Sequence, residues 1–214
     1  MATTMATTPT ASLGTGHNTF PREMTYALRE KVLSLSGDTF EIKDQDGHER
    51  FKIKGRALSL KDKKTISDDK GVDLYKLEKK MVSMHARQYI IDAKTNIKIA
   101  VMKQKSVIPF KGTRTILVWK GDKDEGDAWL ECKGNLIQYK FKITEVATGK
   151  KVAEVKKSFT HLKNLLFDKD KYGVLIEPGY DNALMLLVAA AVDETYHDDS
   201  GRSGGAGGIV GSLG

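Results

Sequence analysis

The chain has 214 residues, of which 40% are hydrophobic and 29% are charged, a composition typical of a globular protein and not of a membrane-embedded or disordered one. The 35 Lys and Arg residues outnumber the 28 Asp and Glu residues, which gives a net charge of +7. Only seven of these cations are Arg, the residue that reads bases and clamps phosphates with two hydrogen bonds. The composition therefore favours diffuse attraction to anionic surfaces and argues against sequence-specific nucleic-acid recognition.

The two ends of the chain differ in composition from its middle. Residues 1–23 are rich in Thr, Ala and Gly, and the first 20 have neither the charged start nor the apolar centre of a signal peptide. Residues 199–214 are rich in Gly and Ser, which is typical of a flexible tail. We therefore expect two disordered tails around one domain at residues 24–198. We expect this protein in the cytoplasm, free or peripheral at membranes, with the nucleus as an open alternative.

Between the tails, short alternating segments recur with turn residues between them. Residues 40–43 and 51–54 alternate in polarity and are separated by a turn that contains Asp46-Gly47, a strong hairpin signal. Looser copies of this pattern follow in residues 64–77, 89–101 and 141–155. About twelve strands at such spacing predict a closed barrel or a sandwich.

One segment departs from this β pattern. After a turn at residues 177–181, ten apolar residues follow without interruption, from Ala183 to Val192. A helix that is apolar all round is buried on every side or lies in lipid, but ten residues span only about 15 Å, half of a bilayer core. We therefore predict a helix from Asn182 to roughly Tyr196 that fills a barrel of about twelve strands. The predicted fold class is mostly β: a closed antiparallel β-barrel that encloses a central apolar C-terminal α-helix.

Four segments in this order resemble the LURP-one-related family of the tubby-like superfamily, which also includes the phospholipid scramblases. These segments are residues 33–42, 55–63, 77–85 and 177–181, the last leading into the apolar helix. The resemblance implies a β-barrel threaded by the C-terminal helix over nearly the whole domain. It names no reaction.

The sequence contains no recognised catalytic motif. The five His residues are scattered, and the patterns H-E-x-x-H, C-x-x-C and G-x-S-x-G are absent. The single Cys, Cys132, excludes a disulfide within the chain and a Cys-based zinc cage, and we interpret it as an inert buried thiol in a strand. We therefore expect a protein that is not an enzyme and has no cofactor.

Two acidic segments suggest calcium, and neither has a full ligand set. Residues 122–127 begin like an EF-hand loop, but Lys133 stands where the bidentate Glu belongs, so we interpret them as a solvated hairpin turn. Asp168 and Asp170 lie in a segment that resembles one that scramblases use for calcium. Because lysines alternate with these carboxylates and oppose a divalent cation, the two residues are only weak metal candidates.

Two features predict a lipid-facing surface. Alternation in residues 51–54 and 139–143 places Lys on one face of each strand, and these faces would form one basic patch if they adjoin. Residues 103–114 place an apolar tip between cations, and Pro109 disfavours a continuous strand there. The predicted lipid-binding residues are Lys52, Lys54, Lys61, Lys63, Lys64, Lys103, Lys105, Val107, Ile108, Phe110, Lys111, Arg114, Lys140 and Lys142.

The function predicted from these patterns is a non-enzymatic binding or regulatory module that associates weakly with anionic phospholipid or phosphoinositide surfaces, without a transmembrane span. Two alternatives remain open. One is a soluble scaffold that binds a protein partner or a small ligand, with Ile108 and Phe110 packed against the barrel. The other is a calcium-linked, scramblase-like lipid function.

Overall fold

The computed structural model describes residues 18–31, 39–55, 63–82, 85–105, 113–135, 140–157, 159 and 171–203. These residues form twelve strands and one helix. The strands are β1 (Met24–Lys31), β2 (Thr39–Asp44), β3 (Glu49–Gly55), β4 (Lys63–Asp68), β5 (Asp73–Val82), β6 (His85–Asp92), β7 (Lys98–Gln104), β8 (Thr113–Lys120), β9 (Leu130–Asn135), β10 (Lys140–Glu145), β11 (Lys151–Lys156) and β12 (Lys171–Ile176), and the helix is α1 (Asn182–Ser203).

The strands form a closed antiparallel barrel in which each strand pairs with its neighbours in the chain. Closure comes from β1, which pairs with β2 on one side and with β12 on the other. Residues alternate between an inner apolar face and an outer polar face, which is why the period-2 pattern of the sequence is so regular. The predicted closed barrel of about twelve strands is confirmed.

The first part of α1 fills the barrel. Every residue from Ala183 to Val192 is at most 1% exposed and belongs to the same core cluster as the inward side chains of the strands. The predicted central helix is therefore confirmed, but its end is not: α1 continues to Ser203, past Tyr196 and into the predicted Gly/Ser tail. Within the described residues, no helix has an apolar stretch long enough to cross a bilayer.

The two ends of the barrel differ in what connects the strands. One end, the turn end, contains five strand connections and the turn before α1, at residues 45–48, 69–72, 93–97, 121–129, 146–150 and 177–181. The odd-numbered strands finish at the other end, the exit end, toward which α1 runs through the barrel.

Four hairpins at the turn end share one construction. In each, the strand ends at an acidic residue, and the residue two positions before this acid is an inward Ile. The pairing register shifts directly after the Ile, as in a β-bulge. A residue with positive φ then donates its backbone N–H to the carbonyl of the acid, at 2.9–3.1 Å. The four sets are Ile42, Asp44 and Gly47; Ile66, Asp68 and Gly71; Ile90, Asp92 and Asn96; and Ile143, Glu145 and Gly149.

The last residues of the predicted N-terminal tail contact the barrel. Asn18 accepts hydrogen bonds through its carbonyl from the backbone N and from Nδ2 of Asn182, both at 3.0 Å, and the carbonyl of Phe20 accepts one from Gly179. Phe20 also packs against the core. Residues 18–20 therefore lie on the turn end of the barrel.

Candidate anion-binding surface

The two lysine faces that would form one basic patch if they adjoined lie on different sides of the barrel. Lys52 and Lys54 are on the outer face of β3, whereas Lys140 and Lys142 are on the outer face of β10. The shorter way around the barrel from β3 to β10 passes four strands, β2, β1, β12 and β11. The condition for a single basic patch is therefore not met, because a strictly sequential strand order separates the two strands.

Two of the predicted lipid-binding cations are on the inner face of the sheet. Lys64 alternates with Ile66, is only 7% exposed, and places its Nζ 5.2 Å from the centre of the Phe40 ring. Arg114 shares a face with the buried Ile116 and donates from Nη1 to the side-chain oxygen of Gln104 at 3.3 Å. Neither residue belongs to the outer surface, since the position of the neighbouring Ile determines which way each one points.

The lysines on the β3–β4 side have acidic partners close by. Lys52 lies 3.3 Å from a carboxylate oxygen of Glu49, and Lys63 lies 2.7 Å from one of Glu78. Such surface pairs contribute little to stability, but they neutralise the local charge. Lys54 is exposed on the same side.

A row of lysines without acidic partners crosses β7 to β10. The backbone N of Lys105 donates to the carbonyl of Thr115, Thr115 pairs with Lys133, and Lys133 pairs with Lys142. Lys105, Lys133 and Lys142 are exposed, and none of them makes an ion pair with any residue that the structure describes. We call these three residues the lysine row. With neighbouring strands about 4.8 Å apart, the row spans about 14 Å.

One residue of the lysine row, Lys133, was missed by the sequence reasoning. The row also contains an unfavourable contact between two like charges. Lys133 was considered only as a misfit in a calcium loop, although its alternation with Cys132 on β9 already marks it as outward. Lys133 and Lys142 are directly opposite each other, an arrangement of like charges that destabilises a sheet by about 0.2–1 kcal/mol. On its other side Lys142 is directly opposite Glu154 of β11, whose carboxylate is paired with Lys151 and Lys156.

Beside the row, the β8–β9 connection folds over the outer face of β6–β8. Trp119 Nε1 donates to the carbonyl of Gly126 at 3.0 Å. Asp124 places Oδ1 3.0 Å from Arg87 Nε, and its Oδ2 accepts hydrogen bonds from Arg87 Nη2 at 3.1 Å and from Lys103 Nζ at 2.9 Å. The interpretation of residues 122–127 as a solvated turn is therefore wrong for Asp124, because that carboxylate holds the connection against the barrel.

The surroundings of Asp124 keep it ionised. Burial raises the pKa of this carboxyl, but the hydrogen bonds from Lys103 and Arg87 lower it by more, so that the pKa lies below its usual range. Lys103, which we predicted as a lipid-binding residue, is thus already occupied by an internal anion. Next to this cluster lie the outward Tyr89 and Val101, which are buried on the outside of the barrel.

Metal candidates have little support among the described residues. One group brings three possible ligand atoms within 4.8 Å of one another, those of Asp44, Asp46 and His48. The Asp44 carboxylate, however, already accepts hydrogen bonds from the backbone N of Asp46 and of His48 and from Arg50 Nε at 2.6 Å. A neighbouring guanidinium opposes a divalent cation at this position.

Seven predicted site residues lie outside the described residues, namely Lys61, Val107, Ile108, Phe110, Lys111, Asp168 and Asp170. Four of these seven belong to residues 106–112, which follow Lys105 of the lysine row in the sequence. Cys132 is 2% exposed in the core, and burial raises the pKa of its thiol, as expected for an inert residue.

The chain is similar to known proteins over most of its length. The family model described as LURP-one-related matches residues 24–193. Protein LURP-one-related 15 of Arabidopsis thaliana is 25% identical over 182 residues, covering 84% of this chain and 83% of that protein. Uncharacterized protein YxjI of Bacillus subtilis is 28% identical over 181 residues, covering 82% and 96%. An X-ray structure of an A. thaliana protein covers 86% of this chain and 98% of its own, with 16% identity and a TM-score of 0.62, and shows the same fold.

Proposed function

Because this chain belongs to the LURP-one-related family and carries an unneutralised lysine row on a closed barrel, we propose that it is a non-catalytic, cytoplasmic module that associates peripherally with anionic phospholipid surfaces. The observation that carries the proposal is the side-by-side placement of Lys105, Lys133 and Lys142. A rigid sheet holds these charges together at little entropic cost, and they face outward without carboxylate partners among the described residues.

The expected binding is weak and depends on salt. Each Lys near an anionic leaflet contributes about 1 kcal/mol, so the three lysines of the row contribute about 3 kcal/mol. The neighbouring Lys140, also exposed on β10, raises this to about 4 kcal/mol. The attraction is screened over about 8 Å at physiological ionic strength.

The proposal is tested with the double variant Lys133→Glu/Lys142→Glu in sedimentation with vesicles of phosphatidylcholine, with and without phosphatidylserine, at low and physiological salt. We expect the variant to lose most binding to the phosphatidylserine vesicles at low salt. Its melting temperature should stay close to that of the unmodified protein, because both positions are exposed and one pair of like charges replaces another without touching the core.

A matched control changes the net charge by the same amount, but at the turn end. Lys70 and Lys94 are exposed in two of the tight turns there, so Lys70→Glu/Lys94→Glu should retain most of the binding. Equal losses in both double variants would mean that only the net charge matters and that the lysine row is not the contact surface. An unmodified protein that ignores anionic vesicles at low salt would overturn the proposal and favour a soluble scaffold.

A further inference from the structure

The contact between Asp124 and the barrel has the chemistry of a bound anion. Arg87 on β6 and Lys103 on β7 are directly opposite each other, on the outer face of the sheet. Arg87 Nη2 and Lys103 Nζ donate hydrogen bonds to one oxygen of the Asp124 carboxylate, at 3.1 and 2.9 Å. Arg87 Nε lies 3.0 Å from the other oxygen but is buried without a hydrogen-bond partner, so the site has a donor that Asp124 does not use. A guanidinium beside an ammonium group is an arrangement that binds either a carboxylate or a phosphate.

The charges of this cluster do not balance. One carboxylate faces two cations, which leaves a charge of +1 at the cluster. A phosphate monoester carries between about 1.5 and 2 negative charges near pH 7 and offers three acceptor oxygens, so it complements the two cations better than a carboxylate does. Asp124 has the advantage of being tethered, since a covalent connection gives it a high effective concentration at the site.

The site is accessible from solvent and lies next to the lysine row. The side chains of Arg87 and Lys103 remain 30% and 34% exposed, and that of Asp124 is 14% exposed. Lys103 precedes Lys105 by two residues and therefore points to the same side of the sheet. The connection that carries Asp124 has a separate attachment through Trp119 and Gly126, so the loop keeps one anchor when the carboxylate is displaced.

We infer that Arg87 and Lys103 form a binding site for a phosphate monoester, free or on a lipid headgroup, and that Asp124 occupies this site as an internal competitor. The lipid form of this ligand rests on the proposed function, whereas the free form does not. When the competitor leaves, two cations join the lysine row, and the basic surface extends from β10 to β6.

The test compares Asp124→Ala with Asp127→Ala, which removes an exposed acid from the same loop and changes the net charge equally. The probes are vesicles containing phosphatidic acid, a monoester; vesicles containing phosphatidylserine, a diester; and inorganic phosphate followed by calorimetry. We expect Asp124→Ala to bind phosphatidic acid vesicles at least fivefold more tightly than the unmodified protein. Asp127→Ala should gain less than twofold. The gain should be smaller on phosphatidylserine and should disappear in Asp124→Ala/Arg87→Gln.

Each outcome decides the inference. A gain by Asp124→Ala on phosphatidic acid alone identifies the lipid form of the ligand, and a gain on inorganic phosphate identifies the free form, even if all vesicle binding by the unmodified protein fails. Equal behaviour of the Asp124 and Asp127 variants with every probe overturns the inference. If Asp124→Ala does not fold, Asp124→Asn removes the charge while keeping the size of the side chain, and the same comparison applies.

Discussion

The two ends of the barrel use their charged residues in different ways. At the turn end, acids act as internal hydrogen-bond acceptors: one carboxylate oxygen each of Asp44, Asp68 and Asp92 accepts backbone N–H groups of the turn that follows. Toward the exit end, the outer face carries the lysine row and Lys140, for which the described residues provide no acidic partner. These acids therefore stabilise the turns, whereas these lysines remain available to bind an anion.

This difference explains why the net charge of +7 is a poor guide to the surface of this protein. An acid that caps a tight turn is held by the backbone and points toward the chain itself, whereas a lysine on the outer face of a strand points toward solvent. The positive charge that a partner meets therefore depends on where it approaches the barrel. This difference between the two ends is tested by substitutions in α1, which runs through the barrel, and of single acids at the turn end.

The largest effect is expected in the helix that runs through both ends. Leu186 is fully buried in the core cluster inside the barrel, so Leu186→Asp places a carboxylate among apolar side chains. The cost of several kcal/mol is comparable to a typical net stability of about 5–15 kcal/mol. We expect insoluble or unfolded protein in expression and circular dichroism. A soluble variant with an unchanged melting temperature would contradict a helix enclosed by the barrel.

The next effect is expected where α1 begins at the turn end. Asp181 is 2% exposed, accepts a hydrogen bond from the Tyr75 hydroxyl at 2.8 Å, and caps the helix by accepting one from the backbone N of Leu184 at 3.0 Å. Asp181→Ala removes both bonds and should lower the free energy of unfolding in urea by about 3 kcal/mol. The exposed Asp69 is the control, and Asp69→Ala should change it by less than about 0.5 kcal/mol. Similar losses in the two variants would contradict the internal role of the buried acid.

A smaller and pH-dependent effect is expected for Asp44. Burial raises the pKa of this carboxyl, but hydrogen bonds from Arg50 and from the backbone of the turn lower it by more, so the folded-state pKa lies below the unfolded-state value. The ionised carboxylate therefore stabilises the fold above about pH 4, and this contribution is lost as the pH falls through the folded-state pKa.

Asp44→Asn should accordingly lower the free energy of unfolding by about 1–2 kcal/mol at neutral pH, since the charged acceptor of Arg50 is replaced by a neutral amide. Urea unfolding of both proteins between about pH 7 and pH 3 should show this difference shrink below about pH 4. A difference that stays constant over this range would mean that the charge of Asp44 does not matter.

Much of the fold was predictable because local rules determine it. Strand alternation and the Asp-Gly turn at residues 46–47 predict hairpins, and the apolar run from Ala183 to Val192 predicts a buried helix. Only in combination do they favour a barrel around a helix. The helix end was misplaced because a Gly costs a helix only about 1 kcal/mol, and Gly201 lies within α1 without ending it.

The candidate surface was predictable only in part. The inward positions of Lys64 and Arg114 follow from their spacing of two from Ile66 and Ile116, and this signal was present in the sequence. The separation of β3 from β10 also follows from a sequential barrel. The Asp124 contact does not, because it joins residues 37 positions apart through a long connection for which no local pattern exists.

The position of α1 also constrains the order in which the chain assembles. The helix is the last described element, and its amide Asn182 bonds to Asn18, 164 residues earlier, while β1 closes the barrel only with β12. During synthesis the first strand must wait for the last one, and the apolar helix must arrive before the ring of strands can shut around it. Folding of the barrel therefore depends on contacts between residues far apart in sequence, which makes it slow and leaves apolar surface open to chaperones until α1 has been synthesised.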